Sequence, residues 1–235
     1  MTGQTSNTAL ILFTRSVSEE VKYKKFSPTA GRKGNILIAQ KLLTRATSLA
    51  EQADIDFFVF TEKEQTDGSF GQRLSQAYQE TFDKGYKNVI SIGNDSPDLN
   101  LETLKKAIDQ LDHDQAVIGP SSDGGVYLLG LSQEHFDQEI FVNLRWQTGR
   151  LARDIADQLL LKFDISWLKT LHDIDHASDF YKFLKGSQSA LKWILINLLG
   201  LWSTVKTIFI LNIKEFSPSE FRSERGPPST LLPLL

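Results

Sequence analysis

Three acidic clusters hold the residue types that could do chemistry in this chain. In Gly93-Asn-Asp95-Ser-Pro-Asp98, Gly93 permits close backbone approach, Pro97 fixes a turn, and Asp95 is presented just past an apolar run. A carboxylate so placed can hold Mg²⁺ or Mn²⁺ against a diphosphate, because hard cations prefer oxygen ligands and bridge phosphate oxygens. The same residues also suit an Asx turn or a helix cap, a common use of Asn and Asp ahead of a helix. In Gly119-Pro-Ser-Ser-Asp123-Gly-Gly125, Asp-Gly between two apolar runs is a hairpin signal. The other reading is that Gly124 and Gly125 leave room for a sugar or phosphate while Asp123 hydrogen-bonds its hydroxyls. In His172-Asp173-Ile-Asp175-His176, alternation puts Asp173 and Asp175 on one face of an extended segment. Two such carboxylates repel unless a cation or donors separate them, so a metal or a helix cap accounts for the pair. Asp175 or Ser178 suits that cap. The two histidines lack the spacing of a zinc motif and read as surface or supporting groups.

Basic residues form the complementary set. Arg15, Lys22, Lys24, Lys25, Arg32 and Lys33 all follow the first apolar run. In a phosphate-binding enzyme they would neutralise the charge of the ligand; as a bare pattern they suit a solvated loop equally well. Arg73, early in a helical stretch, faces either a crevice or an exposed salt bridge. No P-loop, G-x-G-x-x-G or G-x-S-x-G occurs, which argues against the common ATPase, dinucleotide and hydrolase schemes.

The elements that must position these groups follow from hydrophobic pattern. Thr8–Thr14, Ile55–Thr61 and Asn88–Gly93 are short, branched-rich or aromatic runs, as expected of strands buried on both faces. Ala116–Gly119, Val126–Leu131 and Phe163–Leu168 read as further strands. Helical spacing appears over about Asn35 to Gln52, over Leu74, Tyr78 and Phe82, and over Leu101, Leu104, Ile108 and Leu111. It recurs at Leu151, Ile155 and Leu159, and over Ala177 to Leu184. Gly85 is placed to stop the second helix with a left-handed cap, and Asn100 to begin the third. Arg15 to Lys33, with Pro28 and Gly31, reads as irregular. Strands alternating with amphipathic helices imply an α/β chain with an open, mostly parallel sheet and helices on both faces. In such sheets the ligand crevice lies beyond the carboxyl ends of the strands, where the acidic clusters fall.

Composition narrows the class. A net charge of −3 argues against a sequence-independent nucleic-acid binder, which needs a basic surface. Cysteine is absent, which excludes disulfides and thiolate metal sites. Met1 to Thr8 is polar, and Ala9 to Phe13 is too short for a signal-peptide core, so a cytoplasmic location is expected. Leu191 to Leu211 is strongly apolar, but Lys192, Asn197 and Lys206 interrupt it, which makes a membrane span marginal. An interfacial helix, a homodimer or membrane-surface contact, or a core-covering helix fits it better. Phe216 to Leu235 is proline-rich and reads as an irregular tail.

Several blocks together resemble a known family. Phe70-Gly-Gln-Arg-Leu74, Ile92 to Leu99, Gly119 to Leu131, Trp146-Gln-Thr148 and Asp173-Ile-Asp175 occur in the order seen in a bacterial family of provisionally assigned glycosyltransferases. Its members have the GT-A, nucleotide-diphosphosugar transferase fold, and some are named as arsenosugar-biosynthesis glycosyltransferases. The resemblance covers about residues 8 to 185 and divides the chain into a GT-A-like domain, 1–186, and an apolar helix with an irregular tail, 187–235. It implies a nucleotide-sugar donor, a small-molecule acceptor and a divalent cation, Mg²⁺ or Mn²⁺.

By that resemblance Asp95 matches the metal-binding aspartate, and Asp175 is a second metal candidate. Asp98 and Asp123 join Asp175 as candidates for metal, sugar or acceptor contacts, with Asp123 or Asp175 as the base that activates an acceptor hydroxyl. Arg15, Lys22, Lys24, Arg73, Gly93, Gly124, Gly125 and Trp146 are the implied nucleotide and sugar contacts. The segment Ser16 to Phe26 departs from the family, whose Pro-x-Pro-Gly turn is replaced here by a stretch containing Glu19 and Glu20. The implied activity is a metal-dependent glycosyl transfer. The alternatives are a nucleotidyltransferase, with Lys22, Lys24 and Lys25 meeting a triphosphate, and a degenerate homologue that binds a partner.

Overall fold

The computed structural model describes residues 6–159 and 163–200. The polar start at Met1, the apolar run beyond residue 200 and the Phe216–Leu235 tail lie outside the described residues. The chain runs β1 (Thr8–Phe13), α1 (Val17–Tyr23), α2 (Gly31–Gln52), β2 (Phe57–Phe60), α3 (Phe70–Asp83), β3 (Asn88–Ile92) and α4 (Leu101–Asp112). It continues through β4 (Ala116–Pro120), β5 (Val126–Ser132), α5 (Gln138–Asn143), α6 (Leu151–Leu159), β6 (Ile165–Trp167), α7 (Ala177–Gly186) and α8 (Ala190–Leu198).

One six-stranded sheet has the order β2-β1-β3-β5-β4-β6. β1 pairs in parallel with β2 and β3, and β4 in parallel with β6, while β5 runs against both its neighbours. The sheet is thus mostly parallel with one reversed strand. Alternation along β1 sends Leu10 and Leu12 to a core with α2 and α4, and Ile11 to a second core with α3, α5 and α6. Each such side chain, fully removed from water, contributes roughly 1.5–3 kcal/mol. A third core joins α2 to α7 and α8 through Ile38, Leu42, Phe180 and Leu195.

Gly85 and Asn100 end and begin their helices as expected, whereas α7 begins at His176, whose amide donates to Asp179 Oδ2 at 3.1 Å, and not at Asp175 or Ser178. Ser69 and Gln72 form a capping box on α3. Gly85 leaves that helix at φ +97° and donates to the Phe82 carbonyl at 2.8 Å. The Asn100 side chain accepts from the Thr103 amide at 2.9 Å.

Three expectations need correction. Arg15–Lys33 is not irregular throughout: it contains α1 and the first turn of α2. The reason is long-range, because the Ser16 cap of α1 is held by Glu62, which follows β2. β2 is an edge strand rather than one buried on both faces, and Val59 is exposed. α5 supplies Phe141 to the second core from a stretch with no helical reading in the sequence.

α8 covers a core. Leu191, Leu195 and Ile196 are buried against α2 and α7, while Trp193, Ile194 and Leu198 face outward. Among the described residues no helix is long and apolar enough to cross a membrane.

Candidate functional site

A cavity of about 330 Å³ opens beyond the carboxyl ends of β1 and β3 and is closed on the far side by the β4–β5 turn. Three carboxylates surround one ammonium at its base. Lys24 Nζ lies 2.8 Å from Asp95 Oδ2, 2.7 Å from Asp175 Oδ1 and 3.4 Å from Glu20 Oε1. Glu20 also accepts from Arg15 Nη1 at 3.3 Å, and its side chain is only 4% exposed.

α1 places this arrangement. Its N-cap Ser16 donates from the amide to Glu62 Oε2 at 2.7 Å and from Oγ to Glu62 Oε1 at 2.6 Å. Glu20 then points inward, and Lys24, the residue that ends the helix, reaches the strand ends. Burial alone would pull the Lys24 ammonium down in pKa, but Asp95, Glu20 and Asp175 outweigh it and hold the lysine well above its ordinary range. Burial likewise pushes the Asp95 carboxyl up, and Lys24 beside it reverses the sign and keeps it below the usual value.

Asp95 folds back over its own turn. A Cβ on Gly93 would stand 2.7 Å from Asp95 Oδ1, so a side chain there would displace the carboxylate. The Ile174 amide donates to the Asp95 carbonyl at 2.9 Å, which fastens the 172–176 segment to the loop after β3. Ile174 is buried, and Asp173 and Asp175 on either side of it both line the cavity. Ser96 Oγ donates to Asp173 Oδ1. Burial, and then Asp95, push the Asp173 carboxyl up to about 7.

In the β4–β5 turn, Asp123 Oδ1 accepts from Ser121 Oγ at 2.7 Å and from the Gly125 amide at 2.9 Å. Asp123 thus organises the hairpin, and it also lines the cavity. Gly125 lines the cavity too; Gly124 does not. Gly124, at φ +89°, is where two backbones cross: a Cβ there would meet the Gly149 carbonyl oxygen at 2.0 Å.

The opposite wall is aromatic. Phe13, Phe70 and Trp146 follow one another with ring centroids 5.5 and 5.4 Å apart, and Trp146 Nε1 donates to the Phe141 carbonyl at 2.7 Å. Arg73 lines the cavity beside them, with Nη1 bonded to Gln65 Oε1 and Nε buried without a partner.

The structure therefore brings Arg15, Lys24, Arg73, Gly93, Asp95, Asp123, Gly125, Trp146 and Asp175 to one cavity. It leaves Lys22 outside, on the exposed side of α1, paired with Glu19. Lys25, Arg32 and Lys33 are exposed as well. Asp98 is drawn away by Ser187 Oγ, which donates to its Oδ1. Sequence reasoning missed Glu20 as an inward carboxylate. Its position four residues before Lys24, a salt-bridging helical spacing, is the signal that could have found it.

Asp95 and Asp175 are the residues that could hold a divalent cation, since their hard oxygen donors converge on one point. Among the described residues no group of three or more His, Asp or Glu side chains forms a complete cation cage. Two carboxylates suit Mg²⁺ when phosphate oxygens and water complete its shell, so this donor set fits a cation shared with a diphosphate.

Comparison with known proteins supports the fold. The family model described as "Uncharacterized protein conserved in bacteria" (DUF2064) matches residues 37–148. No curated protein matches the chain. A provisionally assigned nucleotide-diphospho-sugar transferase from Desulfovibrio desulfuricans G20 superimposes with a TM-score of 0.67 at 21% identity, covering 83% of this chain and 96% of that one. The chain accordingly has a nucleotide-diphospho-sugar transferase-like, GT-A-like fold. Looser overlaps occur with two mycobacterial proteins. One is the Rv0371c homologue of Mycobacterium sp. strain JC1, with TM-score 0.46, 11% identity, 83% of this chain and 99% of that chain. The other is Rv0371c of Mycobacterium tuberculosis H37Rv in complex with manganese, with TM-score 0.42, 13% identity, 76% of this chain and 98% of that chain. Both are too loose to bear on function.

Proposed function

We propose that this chain is a cation-assisted transferase that binds a nucleotide-diphosphosugar and passes its sugar to a small acceptor. The observation that carries this reading is the convergence of Asp95 and Asp175 on a single point, 2.8 and 2.7 Å from the Lys24 ammonium, inside a cavity at the strand ends. A divalent cation held there would supply a Lewis acid for the departing diphosphate.

The remaining work falls to the protein's own side chains. Arg15, Arg73 and Lys24 provide positive charge for phosphate oxygens in a partly enclosed cavity, where such contacts are worth more than in water. Trp146 and Phe70 offer apolar faces on which a sugar or base can rest. For the base that takes the acceptor proton, Asp123 and Asp175 are joined by Asp173. A carboxyl pushed up to about 7 is matched to taking and releasing a proton near neutrality.

The test is a thermal-shift screen of the wild type and Asp95→Ala against UDP-, GDP-, CDP- and dTDP-sugars and free nucleoside triphosphates, with and without Mn²⁺. A ligand that binds the native state stabilises it by mass action. A Mn²⁺-dependent shift with one nucleotide-sugar, lost in the variant, supports the proposal and identifies the donor; arsenosugar precursors then belong in the acceptor panel. A shift with triphosphates alone replaces this reading with a nucleotidyltransferase. No shift in folded protein makes it a non-catalytic homologue.

A further inference from the structure

We propose that Lys24 is a built-in rival of the divalent cation, holding Asp95 and Asp175 until a diphosphate arrives to receive its ammonium. The inference rests on reading this cavity as a site for a cation and a diphosphate, but its first test needs no nucleotide.

Three observations lead to it. The ammonium touches both carboxylates, at 2.8 and 2.7 Å, so it stands on the line of approach that a shared cation would use. A cation bound at about 2.1 Å from the same two oxygens would overlap the ammonium, so one occupant excludes the other. Lys24 is also the only ion-pair partner of Asp95 and of Asp175 among the described residues, whereas Glu20 keeps Arg15 if Lys24 leaves. Withdrawal of Lys24 therefore strips both carboxylates of their ion pair at once, leaving Asp95 only the more distant charge of Arg15, while Glu20 stays paired.

The side chain is suited to move. Lysine carries a point charge on a flexible four-carbon stem, and Lys24 follows the last residue of α1 and is not inside the helix. Leaving the carboxylates without a new partner would strand a largely buried cation, which is costly. Phosphate oxygens in the same cavity would relieve that cost. Cation and diphosphate should then bind with positive coupling: each removes an obstacle to the other.

The experiment titrates Mn²⁺ into the full chain without nucleotide, reading free Mn²⁺ by electron paramagnetic resonance, for wild type, Lys24→Met and Lys24→Gln. Removing the rival should tighten Mn²⁺ binding at least tenfold. Adding UDP or GDP should tighten it more in the wild type than in either variant. Unchanged or weaker Mn²⁺ binding by both folded variants overturns the inference. Because two freed carboxylates could unfold the variants, acetylation of Lys24 in the wild type is measured alongside by mass spectrometry. Saturating Mn²⁺ should raise Lys24 labelling several-fold and leave exposed Lys22 unchanged; Mn²⁺ binding without that rise also overturns it. Tighter Mn²⁺ binding by the variants with no response to any nucleotide-sugar would keep this inference and remove the proposed function. Nucleotide-sugar binding with unaltered Mn²⁺ affinity would do the reverse.

Discussion

Gly71 and Trp146 meet so closely that a Cβ on the glycine would stand 2.5 Å from both Cδ1 and Nε1 of the indole. The first turn of α3 is thereby used as the surface against which the cavity's aromatic wall is seated. Gly71→Ala must shift the indole or the helix, and overpacking of this kind costs about 1–3 kcal/mol. The expected outcome is a lower melting temperature together with altered Trp fluorescence. A melting temperature and emission spectrum equal to wild type would show that the wall repacks freely.

Glu20 sits between two cations and is almost wholly buried. Glu20→Gln keeps the shape but leaves Arg15 and Lys24 facing each other with less negative charge between them. Losing one partner of a buried ionic cluster is destabilising, here by about 3 kcal/mol. Urea unfolding of the two proteins checks this, and equal midpoints and slopes would refute it.

Asp173 makes stability depend on pH. Its carboxyl is raised from 3.8 to about 7 on folding, so the folded protein keeps a proton that the unfolded chain gives up from about pH 4. The stability this group lends is full below about pH 4 and is lost as pH rises through about 7. Asp173→Asn cannot ionise and should not show that decline. Between pH 4.5 and 8 the variant should gain on wild type by about 3 kcal/mol in urea unfolding. Parallel pH profiles would place the carboxyl's titration elsewhere.

Much of this molecule was legible from residue order, and the exceptions have physical causes. β1 and β3 stand out because they are central strands, buried on both faces. Phe57-Phe-Val-Phe60 is equally apolar, yet only the sheet order makes it an edge. α1 was illegible because seven residues carry little periodic signal and its cap partner, Glu62, is distant in the chain. In the charged run over and just after α1, Lys22 and Lys24 look alike. Two residues are about 200° around a helix, so one faces solvent and the other the cavity. Gly124 and Gly125 differ in the same unforeseeable way, because Gly149, which crosses Gly124, comes from another segment.

Leu195 belongs to the third core and is fully buried between α8, α2 and α7. Leu195→Ala should cost about 3 kcal/mol by lost transfer energy and the cavity left behind. If α8 were merely appended to a self-sufficient domain ending at residue 186, the same change would leave the main unfolding transition unmoved. Differential scanning calorimetry separates the two outcomes.

The reversal of β5 divides the loops of this protein into two groups with different freedoms. Because β5 runs against β3 and β4, the turn at its start, Ser121–Gly125, faces the cavity, and the turn at its end, near Gln133, emerges at the opposite rim beside Lys87. A protein engineer can therefore splice a reporter or an affinity tag at Gln133–Glu134 with the length of the strands between graft and ligand. The same graft in the hairpin that opens β5 would land on the chemistry.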